Sequence, residues 1–154
     1  MSDAHKVIAD NRQARFLYEI LEVYEAGIEL TGTEVKSVRA GKVNLKDGFV
    51  RIRGGEAFLL NVHISPQTTV GQYFNHEPLR NRRLLLHDKE IRKLIGQTEQ
   101  QGLTVVPLKM YLKRGWIKIS IALARGKKLH DKRDSLRQKQ DRRDMERAMK
   151  TRDH

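Results

Sequence analysis

The 154-residue chain carries 31 Lys and Arg against 19 Asp and Glu, a formal net charge of +12, and it has no cysteine. Domains cluster near roughly 100 to 150 residues, so one folded domain with a short appendage is expected. Disulfides, zinc fingers and thiol nucleophiles are excluded, no apolar run approaches the roughly 18 residues of a membrane span, and the charge selects polyanions, nucleic acid first, as partners. No signal pattern opens the chain, which reads as a soluble, unexported, cytoplasmic protein with no membrane association.

Taken in order, residues 16–24 alternate Phe16, Tyr18, Ile20, Glu22 and Tyr24 with Leu17, Glu19, Leu21 and Val23, the two-sided pattern of a strand in a curved sheet. Gly27 marks a bend. Thr31 and Glu34 have capping-box spacing ahead of Val35 and Val38, so a short helix is expected before Gly41. Residues 49–53 and 57–62 flank Gly54-Gly55 as a hairpin. The stretch 70–83 has no period and reads as loop with room for a short helix. Leu84-Leu85-Leu86 leads to Asp88, read as an N-cap, and Ile91, Leu94 and Ile95 form a helical stripe that ends near Gly102. Residues 104–112 and 116–123 form a second hairpin around Lys113-Arg114-Gly115, with Ile117, Ile119, Ile121 and Leu123 on one face and Lys118 and Ser120 on the other.

The chain then changes character. Residues 125–154 hold 12 basic and 6 acidic side chains, no aromatic and no proline, and their large apolar side chains are only Leu129, Leu136, Met145 and Met149. These are too few to offset the roughly 1–2 kcal/mol per residue that ordering a backbone costs, yet the composition favours helix. A tail disordered alone and helical when bound is therefore expected. The domain boundaries read as 1–124 for the folded body and 125–154 for the tail. Six short strands, a few helices and no βαβ rhythm give a mainly β fold with short helices (α+β), a six-stranded antiparallel OB-like barrel.

The segment Tyr24-Glu25-Ala26-Gly27-Ile28-Glu29-Leu30-Thr31-Gly32-Thr33-Glu34-Val35-Lys36-Ser37 carries a long ungapped signature. It is joined by Asn11-Arg12-Gln13-Ala14, Gly41-Lys42-Val43-Asn44-Leu45-Lys46-Asp47, Asn61-Val62-His63-Ile64 and Arg82-Arg83-Leu84-Leu85-Leu86-His87. Further on come Pro107-Leu108, Tyr111-Leu112-Lys113, and Ala122-Leu123-Ala124-Arg125-Gly126-Lys127-Lys128 with Asp131-Lys132-Arg133. Over nearly its whole length the chain resembles the family of SsrA-binding proteins, or small protein B. The resemblance implies a non-enzymatic ribosome-rescue factor whose OB-like barrel binds the tRNA-like domain of transfer-messenger RNA (tmRNA) in trans-translation. Its implied partners are that RNA and the stalled 70S ribosome with its small-subunit rRNA, with elongation factor Tu and alanyl-tRNA synthetase reached indirectly through tmRNA. The tail of the family lies at the decoding centre and becomes helical in the empty mRNA channel. No cofactor is implied, and a monomer is expected because no hydrophobic surface stripe is visible.

Glu25, Leu85 and His87 match RNA-contacting positions of the family; many relatives carry Asn where His87 stands, and both side chains can donate. The plain alternatives are an acidic turn residue, a core leucine and a polar residue near a helix cap. A carboxylate repels phosphate, so Glu25 makes sense at an RNA surface only by accepting from a sugar hydroxyl or a base amino group. Asn11, Arg12, Lys36, Arg39, Asn44, Lys113, Lys118 and Arg125 complete the candidate RNA-binding set, each with a solvated face as its plain reading. Phe16, Tyr18, Phe49, Phe58 and Trp116 are assigned to the core, the commoner role for strand aromatics.

In the tail, Lys127, Lys128, His130, Asp131, Lys132 and Arg133 match the family's decoding-centre segment. His130 could stack on a base, and Lys127 and Lys128 would serve as point charges. Met145, Ala148 and Met149 share a small apolar helix face suited to the mRNA channel. No nucleotide-binding loop, nucleophile elbow or metal-binding string is present, and no metal is implied. Two rival readings remain at this level: a nuclease built on His63, His76 and His87, and a generic RNA chaperone or ribosomal protein held by charge alone.

Overall fold

In a computed structural model, residues 6–69, 71, 74–127 and 129–152 are described. The elements run β1 (Lys6–Asp10), α1 (Arg12–Leu17), β2 (Tyr18–Ile28), α2 (Gly32–Arg39), β3 (Val43–Asn44), β4 (Phe49–Arg53) and β5 (Glu56–Leu60). They continue with β6 (His63–Ile64), β7 (Arg82–Leu85), α3 (Asp88–Gln101), β8 (Thr104–Lys113), β9 (Trp116–Gly126) and α4 (Leu129–Arg152). The main sheet has the order β1-β8-β4-β5-β7-β2-β9, and β9 pairs again with β8. Six strands thus close an antiparallel ring, which leaves no open edge within it, and β1 adds to β8 from outside. β3 and β6 form a separate two-stranded ribbon.

Inside the ring, alternate residues interlock: Ala26 on β2, Ala57 and Leu59 on β5, Leu84 on β7, Met110 on β8, and Ile119, Ile121 and Leu123 on β9. α2 adds Val38 and α3 adds Leu94 to the same interior, both fully buried. Each such leucine or isoleucine contributes about 1.5–3 kcal/mol by leaving water. A second cluster forms on the outer side, where Ala14 of α1 packs over Val106, Leu108, Ala122 and Ala124. Gly48 is held small by its surroundings, since a Cβ there would stand 2.6 Å from Val62 Cγ2.

The helix expected after Thr31 forms with both halves of its capping box: Glu34 N–H donates to Thr31 Oγ1 and Thr31 N–H donates to Glu34 Oε1 at 2.9 Å. Both hairpins form where expected, turning through left-handed Gly54 and Gly55 (φ 59° and 76°) and through Arg114 and Gly115 (φ 52° and 81°). Gly102 ends α3 in the left-handed conformation.

Departures from the expectations have local causes. Phe16 and Leu17 lie in α1, not in a strand, because Asn11 caps a helix there by accepting from Ala14 N–H. β2 continues through Gly27 to Ile28 instead of ending in a bend there. The N-cap of α3 is His87, one residue earlier than Asp88. β7 begins at Arg82, inside the stretch read as loop. Of the aromatics assigned to the core, Phe16, Phe49 and Phe58 are half-buried and outside both clusters, Tyr18 packs at the edge of the second, and Trp116 at the tip of the second hairpin is 73% exposed. β9 continues to Gly126, pairing Glu19 with Arg125 and Tyr18 with Gly126.

Candidate nucleic-acid interface

The outer face of the ring gathers several of the candidate residues. Strand register places Leu85 of β7 beside Gly27 of β2, Gly27 beside Lys118 of β9, and Lys118 beside Tyr111 of β8, a single row across four strands. Glu25 stands two residues before Gly27 on the same face, opposite Ser120. Gly27 keeps the row flat, since a Cβ there would sit 3.2 Å from Leu85 Cβ. Leu85 is 49% exposed, and His87 follows it outward at the start of α3. His87 N–H donates to Glu90 Oε1 at 3.2 Å, which leaves the imidazole at the surface.

Glu25 is held from the barrel side. The Tyr111 hydroxyl donates to Glu25 Oε2, and Lys113 Nζ donates to Oε1 at 3.2 Å and Oε2 at 3.4 Å. The Tyr111 bond, then Lys113 and the nearby charge of Lys118, hold the Glu25 carboxyl below the usual carboxylate range against the opposing effect of burial. The Tyr111 hydroxyl is shifted up, by burial first and by Glu25 second. The result is an ionised acceptor among cations, a group that can bind a sugar hydroxyl or a base amino group while its neighbours meet phosphate.

The tip of the second hairpin extends this face. Lys36 and Arg39 are exposed on α2, and Arg39 Nη2 donates to Gly115 O at 3.5 Å. Between Arg39 and Trp116 lies a groove of about 290 Å³ lined also by Ile28, Leu30 and Val35. An exposed indole beside a guanidinium is a surface on which an unpaired base can stack. Trp116 was missed because its strand position is indistinguishable in sequence from that of a core aromatic.

Behind this face is a buried charge cluster. Glu34 and Arg82 are both fully buried; Arg82 Nε donates to Glu34 Oε2 at 2.6 Å and Arg80 Nη2 to Oε1 at 2.6 Å. Arg82 also donates to the carbonyls of Val62 at 2.6 Å and Pro78 at 3.1 Å. Burial would raise the Glu34 carboxyl, but Arg80, the Thr31 N–H and Arg82 outweigh it and bring it down to about 2. Desolvation pulls the Arg82 guanidinium below its ordinary value. The cluster pins α2 to the loop before β7 and so fixes where Lys36 and Arg39 stand.

A second basic region lies elsewhere, where α1 meets α4. Arg12, Arg15, Lys127, Lys139 and Arg142 line a cleft of about 580 Å³ with Phe16 and Leu136. Arg125 is exposed near this end of β9, 3.8 Å from Glu19. Lys127 N–H donates to Leu17 O at 2.9 Å and ties the start of the tail to α1. Arg15, Lys139 and Arg142 were not singled out in the sequence, because only the fold brings these segments together. Arg133 is exposed on α4, as are Met145 (64%), Ala148 and Met149 (63%). Lys128 lies outside the described residues, as do the side chains of His130, Asp131 and Lys132.

Two candidate residues stand apart from the Glu25 row. Asn11 is 4% exposed, and its side chain is spent inside, donating to Pro107 O at 2.8 Å and Leu45 O at 3.2 Å while accepting from Ala14 N–H. It is a helix cap and a clamp on two loops. Asn44 is exposed on the separate β3–β6 ribbon, its Oδ1 accepting from Lys46 N–H at 2.9 Å. Of the histidines, His76 is enclosed between Thr33 Oγ1 at 2.8 Å and Ile64 O at 2.9 Å, both ring nitrogens occupied, and so is poorly placed for proton transfer. Among the described residues no group of three or more His, Asp or Glu is arranged to hold a metal.

Comparison with known proteins gives the family. The family model described as SmpB protein matches residues 8–151. The SsrA-binding protein of Acaryochloris marina is 73% identical over 150 residues, covering 97% of each chain, and that of Nostoc punctiforme is 71% identical over 150 residues with the same coverage. A solved chain from the structure described as "tmRNA-SmpB: a journey to the center of the bacterial ribosome" is 52% identical, covers 84% of this chain and 94% of its own, and superposes with a TM-score of 0.67. The chain belongs to the SmpB family of SsrA-binding proteins.

Proposed function

We propose that this protein is a non-catalytic RNA-binding factor of trans-translation that binds the tRNA-like domain of tmRNA and accompanies it to stalled ribosomes in the cytoplasm. The observation that carries the reading is the outer row of the barrel. There Glu25, Leu85, Lys113 and Lys118 stand on contiguous strands, with His87 just beyond β7 at the start of α3 and an ionised acceptor among cations. Family membership and a 52% identical chain from a tmRNA-SmpB ribosome structure support it. Arg12, Arg125 and the α1–α4 cleft form a second surface for the sugar-phosphate backbone.

In this reading the tail has a separate task. Lys127, Lys128, His130, Asp131, Lys132 and Arg133 meet the decoding centre, and Met145, Ala148 and Met149 dock in an mRNA channel that is empty only on a stalled ribosome. The protein works as a monomer, and elongation factor Tu and alanyl-tRNA synthetase act on the same RNA without a required contact to this chain. Lys132→Glu with Arg133→Glu is expected to reduce peptidyl transfer to tmRNA more than RNA affinity, with both measured on one preparation.

The test is equilibrium binding of the full chain and of a 1–127 fragment, which keeps all of β9, to the tRNA-like domain and to an ordinary transfer RNA at two salt concentrations. Strong preference for the tRNA-like domain, retained by the fragment and at the higher salt, supports a shape-reading barrel. Equal affinity for both RNAs that collapses with salt and with loss of the tail overturns it in favour of a generic polycation. RNA cleaved during the incubation overturns the non-catalytic part.

A further inference from the structure

Tyr111 stands out because its ring is 3% exposed while its hydroxyl reaches a surface carboxylate. Its neighbour across the ladder is Lys118, and Glu25 lies diagonally beyond β9 opposite Ser120, whose small side chain leaves that diagonal open. The Glu25 side chain remains 38% exposed although Tyr111 and Lys113 both donate to it. A carboxylate offers about four lone-pair sites, so the barrel-side donors leave acceptor capacity facing solvent. Lys109 Nζ lies 5.5 Å from the centre of the Tyr111 ring and covers its other side.

We infer that Tyr111 is a positioning residue for RNA recognition, its hydroxyl acting with Lys113 to lock the Glu25 carboxylate in the one orientation that accepts from a sugar hydroxyl or a base amino group. The inference rests on the reading that this outer face binds RNA. A free glutamate on a strand samples several rotamers and is repelled by phosphate; one fixed by a buried phenol and neutralised by lysine is presented as a directed acceptor at a smaller entropic cost. The phenol therefore acts through Glu25 without touching the RNA, and its effect is confined to the acceptor contact while phosphate contacts persist.

The experiment is a double-mutant cycle on the full chain with the tRNA-like domain, using Glu25→Gln, Tyr111→Phe and the double variant, with thermal unfolding recorded for each. Tyr111→Phe is expected to fold like the parent, to weaken binding about tenfold, and to leave the salt slope unchanged, because the bond lost is to a charged acceptor and no phosphate contact goes with it. In the double variant the Tyr111 change adds nothing beyond Glu25→Gln. Lys113→Met reads the same coupling from the other donor should the Tyr111 variant lose its fold. If Glu25→Gln binds as the parent does, the RNA-face reading itself fails. If Glu25→Gln weakens binding but Tyr111→Phe does not, or if the two losses multiply, the face stands and the positioning role is overturned.

Discussion

The barrel and the tail helix use the same residue types in opposite ways. In the barrel, charges are placed against partners: Arg82 and Arg80 on Glu34, Lys113 on Glu25, Lys93 on Glu22 and Arg83 on Glu29. In α4, every described side chain from Leu136 to Met149 is exposed. A buried pair such as Arg82 with Glu34 helps specify a shape, whereas the exposed charge of α4 lies on a solvated surface. A closed ring of strands can bury a cation between carbonyls and a carboxylate; a single helix lying against α1 cannot.

That contrast can be broken most sharply at Arg82. Arg82→Ala leaves Glu34 buried and short of a partner and is expected to destabilise the barrel by about 3–5 kcal/mol in urea unfolding. Leucine truncation repeats the comparison with one chemistry. Leu59→Ala, at a fully buried position, is expected to cost about 2–5 kcal/mol, and Leu136→Ala, 54% exposed, to stay within about 0.5 kcal/mol. A comparable loss at both sites would mean that α4 is as integral to the fold as β5.

The pH dependence of the barrel follows from Glu34. Its carboxyl is lowered from about 4.5 to about 2 in the folded state, so its contribution is fully present above the higher value and is lost as pH falls between the two. Denaturation midpoints of the parent should therefore decline over that interval, and Glu34→Gln, less stable at neutral pH, should show a shallower decline. Amide exchange sharpens the comparison from another side. β9 and β5 should exchange only near the global unfolding limit, and α4 should exchange far faster. The smallest effect belongs to Arg125→Ala: its exposed pair with Glu19 is worth about 0–1 kcal/mol, so stability should barely move while the salt slope of RNA binding falls by about one if Arg125 contacts phosphate.

Much of the fold was legible in the sequence because its signals are local. The Thr31 and Glu34 capping box, the Gly54-Gly55 and Arg114-Gly115 turns, and the alternation of Ile117 through Leu123 each act within a few residues. The site was legible in part: Glu25, Leu85 and His87 come from the family resemblance, Lys118 carries a charge that alternation places outward, and Lys113 one that the hairpin turn places at the surface. The burial of Asn11 was not legible, since nothing in its neighbours reveals that Leu45 and Pro107 carbonyls will meet it. Trp116 was misread for the complementary reason, that a strand aromatic is usually covered and here the hairpin tip leaves it bare.

By itself the sequence determined the polyanion preference, the strands and their turns, the switch from a patterned body to a charged helical tail, and the family. Only the tertiary structure decided which strands close the ring, that Tyr111 reaches Glu25 across β9, that Glu34 and Arg82 meet in the interior, and that α1 and α4 assemble a basic cleft. The division has a physical basis. Turn, cap and periodicity effects are fixed by neighbours along the chain, whereas a contact between residues such as Glu25 and Tyr111, 86 positions apart, exists only once the whole barrel has closed.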